Sequence, residues 1–211
     1  MTGGPPDTTH RSDSVGFILE AAAELFTAGG FERTSLKAVA DRAGVAKGLI
    51  AHHFQSKQGL LEAVLMEFYR RQSEALFAAF DPSLGLHARI TAIVDAYFDF
   101  MCRSHLFPRL IQHMAGRDER VREISQQQLR RLHTWVEKEV LPELSDQGAA
   151  SARHFTLTFA GSILTYFSSA PALDPMWPDE QGLLGERALA ERRAHLHLII
   201  DAFWSHLELP A

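Results

Sequence analysis

Residues 34–57 read TSLKAVADRAGVAKGLIAHHFQSK, from Thr34 to Lys57, and this stretch decides how the chain is read. Leu36, Val39, Ala40 and Ala43 recur at i, i+3, i+4 and i+7, the spacing of one apolar helical face. Thr34 or Ser35 can open that helix by accepting a hydrogen bond from an unpaired backbone N–H. Gly44 supplies the backbone freedom that a tight turn between helices needs. A second short helix is predicted from about Lys47 to His53, with Ile50 and Phe54 as its apolar anchors at i, i+4. Two short helices joined by a glycine turn are a helix-turn-helix, whose second helix can lie in a DNA major groove. Arg33, Lys37, Arg42, Lys47 and Lys57 are matched by only one acid in the window, Asp41.

Composition bounds the rest. The chain has 211 residues, 46% hydrophobic and 22% charged, with a net charge of −5. That suits a soluble globular protein with a real core, and it excludes coating of nucleic acid by bulk charge. A local basic patch on an acidic body fits one defined DNA face. Cys102 is the single cysteine, so neither a disulfide framework nor a cysteine-based zinc finger is expected. No signal-peptide pattern and no apolar run near a membrane-spanning length is present, so the expectation is a cytoplasmic protein of bacterial style.

Upstream, residues 1–10 begin MTGGPPDTT and are expected to form a disordered arm. A first helix should run from about Ser12 or Asp13 to Ala28, with Ile18, Ala22, Leu25 and Phe26 on one face, ending at Gly29-Gly30. Downstream, Leu61, Val64, Leu65, Phe68 and Tyr69 mark a long fourth helix from about Lys57 to Phe80, stopped by Asp81-Pro82.

With these helices in place, Ile18 to Leu65 resembles the DNA-binding domain of the TetR-type family of bacterial transcriptional regulators. The resemblance rests on Phe31, Thr34, Ala40, Ala43, Gly44, Val45, Gly48, Phe54, Lys57, Leu60 and Leu61, and covers about a quarter of the chain. It implies a DNA-facing set of Thr34, Ser35, Lys47, Gly48, Leu49, His52, His53 and Lys57. Base reading would fall on Lys47, Leu49 and His52, with Gly48 allowing close backbone approach, and phosphates on His53 and Lys57. The sequence departs from the family at three places. Ala46 stands where Ser or Thr usually caps the recognition helix, a loss of about 1 kcal/mol. Leu49 and Ala51 replace a usual Thr and Tyr, which removes hydrogen bonds to DNA.

Beyond Leu86 the pattern is helical throughout, with no strand alternation. Helices are expected around Ile90 to Met101, Ser104 to Ala115, Asp118 to Leu141, Ser151 to Ser169 and Glu186 to Leu207, with a surface crossover from Ala170 to Gly185. The last two helices carry apolar residues around most of their circumference, which calls for burial on two sides. One side would face the domain and the other a second subunit. The expected dimer residues are Phe155, Phe159, Ile163, Phe167, Leu196, Ile199, Ile200, Phe203 and Trp204, and the family resemblance implies the same four-helix interface.

The family also implies a small-molecule effector site in the C-terminal body. Candidate lining residues are Tyr97, Phe98, Met101, Phe107, Ile111, Met114, Trp135, Phe159 and Tyr166, with Arg109 and His113 as polar groups. The corresponding effector would be apolar or aromatic, and anionic if Arg109 faces inward.

Catalytic chemistry finds no support. The chain has 11 histidines, but no two stand three or four apart, the spacing that sets two ligands on one helix face. No HExxH, GxSxG or phosphate-loop motif occurs. The sequence therefore predicts an all-α protein with no cofactor and no metal site. It comprises a helix-turn-helix domain at 11–57 and an effector-binding and dimerisation domain at 58–211. Its expected activity is repression from a pseudo-palindromic operator that an effector relieves. An activator or effector-independent regulator is the alternative, and a helical enzyme or carrier with an inherited DNA-binding head is a lesser one.

Overall fold

The computed structural model describes residues 8–104, 107–145, 147–176 and 182–205. Every regular element among them is helical. In chain order these are α1 (Thr8–Gly29), α2 (Leu36–Ala43), α3 (Lys47–Phe54), α4 (Lys57–Ala79), α5 (Leu86–Ser104), α6 (Phe107–Ala115), α7 (Glu119–Trp135), α8 (Ala152–Leu173) and α9 (Glu186–Ser205). A π-helical turn, Val136–Val140, continues α7, and a 3-10 turn, Asp174–Met176, continues α8. The all-α fold agrees with the sequence pattern. α1 starts earlier than expected, because no glycine or proline between Thr8 and Ser12 interrupts it. Most of the expected N-terminal arm lies outside the described residues.

The backbone divides into two compact units. The first comprises Met1–Tyr69 and Arg109–Ser125; the second comprises Arg70–Pro108 and Gln126–Ala211. The first unit thus takes in the start of α4 and most of α6, beyond the helix-turn-helix itself. Within it, Gln58 Nε2 donates to Asp118 Oδ2 at 2.8 Å and Arg120 reaches Glu62 at 3.3 Å. Its core is built on Ile18, Ala22, Phe26, Val39, Ile50, Leu60, Leu61 and Leu65, all at most 2% exposed or fully buried.

The second unit has a core of Ile90, Phe98, Met101, Leu141, Ile163, Phe167, Leu196 and Ile200. α5 packs on both α8 and α9. A polar clasp fixes the α5–α9 register. His197 Nε2 lies 2.9 Å from Asp95 Oδ1, and Arg193 donates to the same oxygen at 2.9 Å and to Asp99. At the other end of the unit, Arg89 is buried and its Nε donates to the Val140 carbonyl at 2.9 Å. Its Nη2 meets both Glu143 oxygens at 2.6 Å. That carbonyl ends the π-helical turn, where helical backbone acceptors need partners from elsewhere.

The dimer residues expected from sequence are mostly interior to the protomer. Phe155, Phe159, Ile163, Phe167, Leu196 and Ile200 are buried within the second unit, while Ile199, Phe203 and Trp204 are half-buried. Neither α8 nor α9 is apolar all round. Their outward faces present His154, Thr158, Thr165, Ala190, Ala194 and Ala202, with Leu157 at 64% and Leu198 at 66% exposure. Counting apolar residues on a helix does not separate the face that fills the core from the face left over.

Candidate functional site

The helix-turn-helix is assembled by local chemistry. The Ser35 side chain accepts from the Ala38 N–H at 3.1 Å and caps α2. Gly44 ends α2 at φ 68, the left-handed conformation that a residue without Cβ adopts at no steric cost. α3 opens at Ala46 with no side-chain cap, so its start depends on packing. Ile50, fully buried, supplies that packing. Lys47, Gly48, Ala51 and His52 remain exposed along one side of α3, and Leu49 is half-buried.

The basic residues of this stretch are less available than their number suggests. Lys37 pairs with Asp41 at 2.8 Å, Arg42 pairs with Glu24 at 2.6 Å, and Arg33 Nε donates to the Gly29 carbonyl at 2.9 Å. Lys57 Nζ donates to the Phe31 and Glu32 carbonyls at 3.0 and 3.1 Å and sits 4.4 Å from the Phe31 ring centre. Lys47 alone of the five has no protein partner among the described residues.

Two residues expected to face DNA hold the head together. Thr34 is buried, and its hydroxyl donates towards the Leu25 and Gly30 carbonyls at 3.1 and 2.9 Å. This corrects its expected role: a hydroxyl bonded inward cannot reach a phosphate. Lys57 ties the α1–α2 loop to the start of α4, with one N–H left to offer outward. Ser35 is exposed, with its oxygen engaged as the cap. His53 is half-buried, with its Nε2 enclosed and unpartnered, and packs edge-on against His52 at 5.2 Å.

A second feature lies wholly in the second unit. A cavity of about 590 Å³ opens between α4, α5, α7, the π-helical turn and α8. Leu76, Ile90, Val94, Val136, Val140, Phe155 and Ile163 make its wall predominantly apolar. Polar groups are few: Gln72, Gln126, Arg130, His133, Arg153 and Thr156. Gln72 is only 4% exposed and makes no hydrogen bond to a described residue. His133 Nδ1 is enclosed without a partner, while its Nε2 lies 3.2 Å from Glu137.

Of the effector residues expected from sequence, Tyr97 and Phe159 line this cavity. The others do not. Phe98 packs on Phe167 at 5.5 Å, Met101 is fully buried, and Trp135 stands edge-on to Phe77 and Phe80 at 4.7 and 5.4 Å. Tyr166 donates its hydroxyl to the Leu183 carbonyl. On α6, Arg109 and His113 are exposed, Phe107 and Ile111 are half-buried, and Met114 is buried. Arg109 therefore supplies no charge to the cavity. Gln72, Arg130, His133 and Arg153 were missed because polar side chains on a helix look like solvent-facing ones. The one signal available was on α7, where Gln126, Leu129, Arg130 and His133 share helical spacing with Val136.

Burial, then the nearby Asp99 charge, pushes the Cys102 thiol up, opposite to what a nucleophilic thiolate needs. Among the described residues no group of three or more His, Cys, Asp or Glu could hold a metal ion. No described helix is long and apolar enough to cross a membrane.

This head defines a helix-turn-helix protein with an appended helical body. Residues 18–64 match the family model of bacterial regulatory proteins of the tetR family, so the helix-turn-helix segment is similar to the DNA-binding head of that family. The transcriptional activator FasR of Mycolicibacterium smegmatis is 34% identical over 91 residues, 43% of this chain and 42% of that protein. The repressor KstR2 of Rhodococcus jostii is 31% identical over 101 residues, 46% of this chain and 50% of that protein. The matched part thus spans about half or less of these relatives' lengths. Among solved structures, the fatty acid degradation regulator FadR of Bacillus halodurans superposes with TM-score 0.69 at 14% identity, over 95% of this chain and 96% of that one. A TetR-like regulator from Rhodococcus sp. RHA1 gives 0.64 at 18% identity, over 92% and 97%. At these identities the likeness is one of fold.

Proposed function

We propose that this chain is a homodimeric, sequence-specific DNA-binding repressor whose operator affinity is set by a small molecule in the body. The observation that carries it is α3. An exposed helix face bearing Lys47, Gly48 and His52, with Leu49 at its edge, follows a glycine turn and a capped α2. Lys47 provides the unpaired cation; Leu49 can meet a thymine methyl; Gly48 lets the backbone approach a base edge. Phosphate contacts fall to Ser35, to the remaining N–H of Lys57 and to His53, once its ring turns outward. The operator is double-stranded and pseudo-palindromic, read in successive major grooves by a two-fold dimer.

The dimer face is the outward side of α8 and α9 away from the cavity, centred on Leu198, with small residues that let two helices approach closely. The effector cavity is the apolar space in the second unit. α4 and α7 each contribute residues to both units and both line that cavity. A ligand that binds one conformer better shifts the DNA-binding equilibrium, and operator DNA shifts ligand affinity by the same factor. FasR is named an activator and KstR2 a repressor, so activation is the second reading, and a footprint upstream of the promoter would favour it.

The test is a mobility-shift titration on duplexes enriched from random DNA, against salt. Lys47→Ala should weaken binding, blur sequence preference and reduce the salt slope by about one. Unchanged affinity and slope in that variant would overturn the assignment of α3 as the reading helix.

A further inference from the structure

The charge around the cavity is one-signed. Its lining contains Arg130 from α7 and Arg153 from α8 and no Asp or Glu, in a chain whose net charge is −5. Both arginines are exposed, and neither has an ion pair or hydrogen bond with any described residue. Next to them stand Leu129 and Leu157, large apolar side chains 52% and 64% exposed that also belong to the lining. Arg89, Arg187 and Arg193 of the same unit are paired, with Glu143, Glu191 and Asp95; Arg103 and Arg131 are exposed without an ion pair among the described residues as well, but neither lines the cavity. Deeper in, the wall is mostly apolar, and Gln72, 4% exposed, borders the cavity with no hydrogen bond to a described residue.

We infer that the cavity takes an amphipathic monoanion, with its hydrocarbon body inside and its carboxylate on the Arg130 and Arg153 guanidiniums. The inference rests on the reading of this cavity as an effector site and names the ligand's chemistry. An apolar body replaces water along the wall at little desolvation cost. A carboxylate gains less deep inside, where the polar groups are Gln72, Thr156 and a His133 that already faces Glu137 at 3.2 Å, because these do not compensate for removing a charge from water. At the arginines the same carboxylate stays partly hydrated and gains charge-assisted, fork-shaped hydrogen bonds. A cationic amphiphile of equal length meets repulsion there with no acid to offset it. Gln72 further offers a donor and an acceptor to a ligand that carries one hydroxyl or carbonyl on its body.

The test compares dodecanoate, dodecanol and dodecyltrimethylammonium by calorimetry on the full chain, below their micelle concentrations, without DNA. The three probes share one hydrocarbon body and differ in head charge. Dodecanoate should bind at least about tenfold more tightly than dodecanol. An Arg130→Gln/Arg153→Gln double variant should lose that preference while keeping its affinity for dodecanol. Both arginines are exposed, so the variant should unfold at the wild-type temperature, which a melting curve checks. Equal or tighter binding of dodecanol or the ammonium overturns the anionic assignment and leaves the cavity as a ligand site. No binding by any of the three overturns the cavity's role as well. Operator binding, measured separately, is touched by neither result.

Discussion

Gly59, in the first turn of α4, lies so close to Phe54 that a Cβ on it would fall 2.2 Å from the Phe54 carbonyl oxygen. Phe54 ends the recognition helix α3. The chain between them turns sharply: Gln55 has φ 62 and ψ −42, and the Ser56 N–H donates back to the Phe54 carbonyl at 2.7 Å. That is a γ-turn in its strained form. Ser56 then caps α4, its Oγ accepting from the Gly59 N–H at 2.9 Å. Gly59→Ala must therefore push α3 and α4 apart, at a cost of about 1–3 kcal/mol, with operator affinity lost. Gln55→Gly should do the reverse to stability, gaining up to about 1 kcal/mol by relieving a conformation that L-residues avoid. Thermal unfolding of both variants checks the pair.

Lys47 and Lys57 look alike in sequence and should separate by experiment. Lys57 holds two loop carbonyls and sits over the Phe31 ring, so Lys57→Ala should lower stability by about 1–2 kcal/mol as well as weakening DNA binding. Lys47→Ala should leave the melting temperature unchanged and affect DNA alone. A melting curve and a shift assay on each variant distinguish the two roles.

Much of the fold was legible because it depends on local rules. Ser35, Gly44 and the spacing of Val39 and Ala40 specify α2 and its turn without reference to anything distant. The site was legible only in part, for two physical reasons. A basic residue counts towards DNA only if nothing else holds it, and Arg42 is held by Glu24, 18 residues away. A cavity is a place where packing stops, and no periodicity marks that. Phe98 and Met101 match Tyr97 and Phe159 in chemistry, yet the first two fill the core while the latter two border empty space.

Gln72 offers a test of whether the cavity is retained for binding. A largely buried amide that faces a mostly apolar cavity and makes no hydrogen bond to a described residue destabilises the ligand-free protein. Gln72→Leu, close in size and apolar, should raise stability by about 1 kcal/mol in the absence of ligand. Denaturant unfolding of the two proteins side by side gives the sign; a loss of stability would mean that the amide is satisfied in solution.

Arg89 should be far more costly to remove. Its buried guanidinium holds the Val140 carbonyl and Glu143, so Arg89→Met leaves the end of the π-helical turn without its donor. Because Glu143 is itself partly exposed, the expected loss is about 1–3 kcal/mol, below that of a fully enclosed pair. Hydrogen exchange should localise the added opening to 136–144.

The most direct measurement is selection of bound sequences from random duplex DNA by the purified full chain, followed by sedimentation of the complex at physiological salt. The expected result is an enriched pseudo-palindrome with half-sites about one helical turn apart, bound by two protein chains or a multiple of two. Enrichment of no sequence, or of a single half-site bound by one chain, would contradict it.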